Sequence, residues 1–440
     1  MSEAMRADRT ADVVIVGAGI IGAAIALELS RAGRDVLVVD AGAGPGQGST
    51  GASSAIVRLH YSRLVSVLAA LDCYYDWTSW EEYLDYRDPG PTISFIHTGA
   101  LVLDGNGLRR DCFTRHFDSL DIAWEELTAA DIETRFPALD ARRFGPPAPP
   151  ESEAFWRPAN GPLGGFSYER AGYIDDPQLA ARNLCSAAQH LGARFRFRET
   201  VVGIVQRHDR TAGVELSSGE TLSAPAVVNA AGPASDALNL LAGVIGDGQV
   251  RSRPLRTETQ EIPAPGNFTT AAGGTFVTDL DLGVAFRPHA QGMLHISSIE
   301  PECDQLEWLD DPWHFDPTAT HAAYSRQTLR VARRMPTLHV PHRPSGIGAL
   351  YDVTPDWTPI FDRSDLDGYY LACGTSGNCF KLAPMAGRAL RAVIEASESG
   401  RGAEEPPMRI TAAHLDAEID LAPFSRRRTI NQRGPNNVIA

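Results

Sequence analysis

From Ala11 to Asp40 the chain reads ADVVIVGAGIIGAAIALELSRAGRDVLVVD, two short β-branched runs flanking an apolar stretch with helical spacing. The pattern predicts a strand over 12–16, a tight turn, a helix over 20–31 stopped at Gly33, and a strand over 35–39 ending in Asp40. Downstream, periodicity predicts a helix over 64–86, β character from 93 to 103, a helix over 177–191, and strands in ARFRFRETVVGIV and GVELSSGETL. VVNAAGPAS (227–235) reads as a short buried strand ending in small residues. A second β-rich block spans 250–340, with TFVTDL, GVAFRPH and GMLHISS as strands and THAAYSRQTLRVARRM as a helix. The Pro-rich stretch 144–162 predicts a loop. Last come GIGALYDVTPDWTPIF and GYYLACGTSGNCFKLAPMAGRALRAVIEA, giving a strand, a Gly-rich turn and a helix starting near Lys381.

The opening strand, turn and helix carry GAGIIG, and each part suits a pyrophosphate. Gly17 makes the turn, Gly19 lets the backbone approach phosphate, and Gly22 lets helix and strand pack closely. The helix N-terminus, with Ala18, Ile20 and Ile21, offers unpaired N–H groups to an anion. Asp40, followed by Ala41, stands where an adenosine ribose would be held. The loop GAGPGQGSTGASS adds hydroxyl and backbone donors at Ser49, Thr50, Ser53 and Ser54. The late Gly-rich turn adds Gly374, Gly377, Asn378, Cys379, Phe380 and Lys381, with Val202, Ala230 and Gly232 from the middle of the chain. A ligand touched by segments three hundred residues apart is better matched by an elongated cofactor such as FAD than by a compact NAD half-site.

A chain of 440 residues exceeds one hydrophobic core, so two packed domains are expected. A net charge of −15 opposes nucleic-acid binding. The apolar run from Val13 to Leu27 is too short to span a membrane and follows a stretch that is not basic. Six cysteines form no CxxC pair, which points to reduced thiols in a cytoplasm, and the histidines form no metal set. Of the 40 basic residues only Lys381 is a lysine. In a chain that elsewhere uses arginine, a compact ammonium within the late Gly-rich turn marks a position where a planar guanidinium would not serve.

In this order GAGIIG, GSTGASS, VVNAAGP, YDVTPDWTP and GTSGNCFKLAP resemble the FAD-dependent D-amino-acid oxidase-like superfamily, glycine/sarcosine oxidase and dehydrogenase branch. The resemblance covers roughly residues 11 to 425 and implies an α/β fold. A doubly wound FAD-binding domain of discontinuous segments (8–94, 168–245 and 341–405) would join a substrate domain with a large mixed β-sheet (95–167 and 246–340). Residues 406–440 would be a C-terminal tail. Where relatives attach FAD covalently to a cysteine or histidine, this chain has Ala349 and Ala52, so non-covalent FAD is expected. Arg58 and Lys381 match the substrate-carboxylate anchors, and Tyr351 the active-site tyrosine. His295 stands where the oxidases carry a lysine that assists reaction with oxygen; Ile299 and Ala55 replace a histidine and a second arginine.

These residues imply oxidation of the C–N bond of a small amino acid or N-alkyl amino acid to an imine. Electrons would pass to O2 or to an electron-carrier partner. A 2-hydroxy-acid flavin oxidoreductase would use the same carboxylate clamp, and a flavin subunit of a heteromeric amine dehydrogenase would share the cofactor site. An NAD-dependent Rossmann enzyme is the reading that the fingerprint alone also allows.

Overall fold

The expected opening unit forms as strand Val13–Val16, helix Ile20–Arg31 and strand Val36–Asp40 in a computed structural model that describes residues 9–105, 110–246, 249–402 and 404–430. The two strands pair in parallel, Val13 opposite Val36, and Val13 also pairs with Ala226 of strand Ala226–Asn229. Around them a six-stranded sheet runs in the order 360–363, 369–373, 226–229, 13–16, 36–40, 194–197. All its pairings are parallel except that of 360–363 with 369–373. Strands 13–16, 226–229 and 369–373 are buried throughout, as a sheet covered by helices requires. Helix 20–31 is buried along nearly its whole length between helices Pro177–His190 and Ala383–Glu398, which explains why it is apolar on every side.

A nine-stranded mixed sheet forms the second layer. It runs 307–308, 253–263, 293–298, 284–289, 276–279, 100–103, 165–168, 125–127, with strand Gly346–Val353 also paired to 253–263. Strand Arg253–Pro263, RPLRTETQEIP, has no apolar alternation, so its sequence hides it. Its buried polar side chains pair within the strand and across the fold: Arg256 meets Glu258 at 2.7 Å on the same strand and Glu307 at 3.0 Å on the neighbouring one. Strand 346–353 lies in this sheet, although the motif comparison grouped 341–405 with the FAD-binding segments.

Three other expectations shift. The helix expected over 64–86 breaks at Ser79 into Leu64–Thr78 and Trp80–Leu84, with Trp77 and Trp80 stacked at 4.6 Å across the break. The helix expected near Lys381 starts at Ala383, after a single 3-10 turn over Phe380–Leu382; Pro384 in its first turn lacks only an N–H that would find no helical partner there. The segment expected as a tail is packed where it is described. Strands Arg409–Thr411 and Glu418–Asp420 pair as a hairpin, and Ile410, Ile419, Leu421 and Phe424 are buried. His414 reaches Asp76 at 2.7 Å and Arg428 reaches Asp356 at 2.7 Å, ties that no local pattern announces. Residues 431–440 lie outside the described residues.

The buried charges show how the second layer is held. Arg334 is fully buried; its guanidinium meets Asp279 at 2.7 Å and Asp281 at 3.0 Å and donates to the carbonyls of Asp140 and Arg142. Replacing it with Met would leave two carboxylates buried without their cation. Arg334→Met is therefore expected to lower the unfolding free energy by about 3–5 kcal/mol, read from urea denaturation curves.

Candidate active site

At the head of the six-stranded sheet, the first strand turns at Gly17, whose φ of +111° favours glycine. A Cβ there would lie 2.2 Å from the Ala230 carbonyl oxygen, and one on Gly22 would lie 1.9 Å from the Gly17 oxygen. Strand, turn and helix therefore cross with backbone against backbone. Asp40, at the end of the second strand, accepts N–H bonds from Ala18 and Gly42, both at 2.6 Å. Thr50 Oγ1 accepts the Ile20 N–H at 3.0 Å, fixing the Ser/Thr loop against the helix N-terminus. Ser49 donates to the Leu350 carbonyl at 2.6 Å, which ties the same loop to the nine-stranded sheet.

One cavity of about 1240 Å³ runs from this turn to the late Gly-rich turn. Its wall includes Gly17, Gly19, Ile20 and Ile21, then Asp40 and Ala41, then Ser49, Thr50, Ser53 and Ser54. Val202, Ala230 and Gly232 line it as well, Ala230 against Gly17, and Gly377, Asn378, Cys379, Phe380 and Lys381 line its far end with Arg58 and Tyr351. Ala18, Gly22 and Gly374 lie behind the wall. Ala18 binds Asp40, Gly22 packs on Gly17, and Gly374 donates its N–H to the buried carboxyl of Asp352.

The far end is cationic. Lys381 Nζ donates to the Tyr61 hydroxyl at 2.9 Å and to the Asn378 carbonyl at 2.6 Å, and Trp77 Nε1 donates to the Lys381 carbonyl at 2.8 Å. The Arg58 guanidinium lies 4.5 Å from the centre of the Tyr61 ring and donates to the His60 carbonyl. Both cations are buried, 3% and 8% exposed, and among the described residues neither has a carboxylate within 4.0 Å. Burial, with Arg58 alongside, pushes the Lys381 ammonium well below the ordinary lysine range. Burial and the same two cations push His60 well down. Its ring is held between the Tyr168 hydroxyl (2.7 Å) and Thr278 (3.0 Å).

Tyr351 comes to this end from strand 346–353 and lies against Gly377, where a Cβ would be 2.3 Å from its Cε2; Gly377 also has φ +68°. His295 does not reach the cavity wall. Its Nε2 meets Ser54 Oγ at 2.7 Å and its Nδ1 meets Glu261 at 3.4 Å, so it supports the loop from behind. Burial lowers its pKa to about 4, against the pull of Glu261. Arg287, whose guanidinium lies 3.7 Å from the centre of the Tyr173 ring, donates to the Ser54 carbonyl from the same side. Ala52, Ala55, Ile299 and Ala349, the positions that depart from the motif pattern, all line the cavity.

Several cavity residues carry no sequence motif: Ser297 and Ser298 at the end of strand 293–298, Glu300 just after it, Phe276 and Thr278 on strand 276–279, and Trp313 from an irregular segment. Tyr61, which bridges the two cations, is equally unannounced, although its position three residues after Arg58 was available as a signal. Among the described residues no group of three or more His, Cys, Asp or Glu could hold a metal, and no helix is long and apolar enough to cross a membrane.

A doubly wound sheet with a dinucleotide turn, facing a large mixed sheet across one long cavity, defines a nucleotide-cofactor protein with a second ligand end. The sequence matches the profile of the FAD dependent oxidoreductase family (DAO) over residues 12–393. The chain belongs to that family and is an FAD-dependent oxidoreductase. It is 24% identical over 401 residues to sarcosine oxidase subunit beta of Rhodobacter capsulatus, covering 89% of this chain and 87% of that one. Glycine oxidase from Geobacillus kaustophilus superposes with a TM-score of 0.72 at 22% identity, covering 96% of this chain and 100% of that chain. L-proline dehydrogenase from P. horikoshii superposes with a TM-score of 0.71 at 20% identity, covering 89% and 94%. The fold is therefore that of the glycine/sarcosine oxidase branch that the motifs suggested.

The residues fit FAD. The cavity is longer and larger than drug-sized ligands need, and its glycine crossing would be filled by any Cβ. Gly22→Ala, by pushing the helix off the turn, is expected to weaken FAD retention about tenfold or more, read from the 450 nm absorbance of purified protein per mole of chain.

Proposed function

We propose that this protein oxidises the C–N bond of a small amino acid or N-alkyl amino acid, taken up as its carboxylate, with FAD bound non-covalently. The observation that carries this reading is the pair of buried cations, Arg58 and Lys381, on the cofactor cavity without a carboxylate partner. Buried charges without counter-ions are costly, and an anionic ligand relieves that cost. Arg58 offers a planar fork and Lys381 a compact ammonium, which together fix a carboxylate in one orientation. FAD, once bound, supplies the acceptor for the electron pair leaving the substrate carbon. The chain holds that carbon and screens it from water with Tyr351 and Phe276.

Non-covalent attachment is supported by the alanines at 52 and 349, both on the cavity wall. The nearest thiol on that wall, Cys379, is pushed by burial up to about 12 and is no thiolate at neutral pH. In the same reading the six-stranded sheet carries the cofactor, the nine-stranded sheet covers the substrate, and His295 acts only through Ser54. All six cysteines are free, which supports a reducing cytoplasm as its place. A second reading, a flavin subunit that passes electrons to a partner, is favoured by the relative from Rhodobacter capsulatus, which is named as a subunit. It gains if substrate-reduced protein reoxidises slowly in air and quickly with an artificial electron carrier. O2 as the direct acceptor gains from the reverse.

Three outcomes are expected. Acid precipitation should release yellow flavin into the supernatant, and a yellow pellet would overturn non-covalent binding. Lys381→Arg should keep FAD but weaken carboxylate-ligand affinity about tenfold or more, measured by flavin absorbance titration. Because burial holds Lys381 below its ordinary range and a bound carboxylate raises it again, the ammonium loses its proton at lower pH in the free protein than in the complex. Carboxylate affinity should therefore fall as pH rises, and Lys381→Met should flatten that dependence. Anaerobic bleaching of the flavin by hydroxy acids but not by amines would overturn the C–N reading.

A further inference from the structure

Glu300 follows strand 293–298 and lines the same cavity as Arg58, Tyr351 and Lys381. No motif selects it. Its backbone is left-handed, φ +48°, and its N–H is held by Ser298 Oγ at 2.9 Å, so the side chain is set in place by its own turn. One carboxylate oxygen accepts a long bond from Thr257 Oγ1 at 3.5 Å. Among the described residues no Arg, Lys or His lies within 4.0 Å of it, while the neighbouring acids are all paired. Asp304 is held by Arg330 at 2.7 Å and Arg326 at 3.3 Å; Glu258 and Glu307 are held by Arg256. Glu300 is the acid that the surrounding arginines leave open to the cavity.

Its place relative to the cationic end follows from shared contacts. Thr257, which binds Glu300, is paired with Ala349 on the strand that carries Tyr351; Tyr351 lies on Gly377, and the next residue, Asn378, binds Lys381. Thr257, Tyr351 and Asp304 are the polar and titratable groups that face Glu300 from the strands and loop around it. Burial, with Asp304 second, raises its carboxyl to about 8, where a cationic partner would favour the ionised form.

We propose that Glu300 is the recognition residue for the substrate's cationic nitrogen, so that the cavity selects zwitterions: carboxylate at Arg58 and Lys381, ammonium at Glu300. The inference rests on the carboxylate-clamp reading and narrows it to ligands carrying both charges.

Two isosteres test it on the flavin-loaded protein. 2-Aminoisobutyrate has no α-hydrogen to lose, and pivalate is the same shape with a methyl group in place of the ammonium. Each is titrated by its perturbation of the flavin spectrum. Wild-type protein should prefer 2-aminoisobutyrate about tenfold or more, with the ratio of affinities rising as pH goes from about 7 to about 9. Glu300→Gln, its flavin spectrum unchanged, should bring the ratio close to one while pivalate binds as before or more tightly. A wild-type ratio near one, or one that Glu300→Gln leaves intact, overturns the role of Glu300 alone. Failure of both compounds to bind the wild type overturns the carboxylate clamp, and this inference with it.

Discussion

Desolvation of two cations organises the substrate end of this molecule. Arg58 and Lys381 sit on opposite sides of the sequence, yet both are buried beside Tyr61, and among the described residues no carboxylate lies within 4.0 Å of either one. Holding such a pair apart from water is expensive, and much of the local structure serves to hold it. Tyr61 and the Asn378 carbonyl accept the Lys381 protons, Trp77 fixes its backbone, and His60 is kept neutral between Tyr168 and Thr278. The result is a positive potential available to a ligand rather than spent inside the protein.

Elsewhere the fold treats charge in the opposite way. Arg334, Arg330, Arg256 and Arg388 are each matched to carboxylates at 3.0 Å or less, and the pairs with Asp279, Asp304, Glu307 and Asp72 join segments apart in sequence. Arg388 clasps Asp72 and Asp76, to which His414 brings the C-terminal hairpin. Against that background of paired arginines, Arg58, Lys381 and Glu300, which among the described residues have no ion pair, mark the cavity more sharply than any single motif. The two sheets meet across them, one presenting a phosphate-binding turn and the other Tyr351 and Glu300.

Legibility in the sequence followed physical locality. The turn at Gly17 to Gly22 could be read because close backbone packing demands particular residues at fixed spacing. Parallel strands buried on both faces leave unbroken β-branched runs, so Val13–Val16, Val36–Asp40 and Ala226–Asn229 were plain. Strand Arg253–Pro263 was not, because its buried Arg256, Glu258 and Gln260 are polar residues that bind one another along the strand and are completed by Glu307 and Thr320 from distant segments. His295 was misplaced by one layer: its strand was recognised, but whether the ring meets the cavity or the back of Ser54 depends on packing between elements.

By itself the sequence determined the dinucleotide turn and the singular status of Lys381, since each follows from local backbone needs or from composition, while the doubly wound sheet was implied by the resemblance of its ordered motifs. Tertiary structure alone decided that Arg58 has no acid beside it, that Glu300 opens to the same cavity, and that the last residues described pack against the core. Whether a charge is paired, neutralised or left for a ligand depends on which distant side chains the fold brings within a few ångströms, and no stretch of sequence contains that distance.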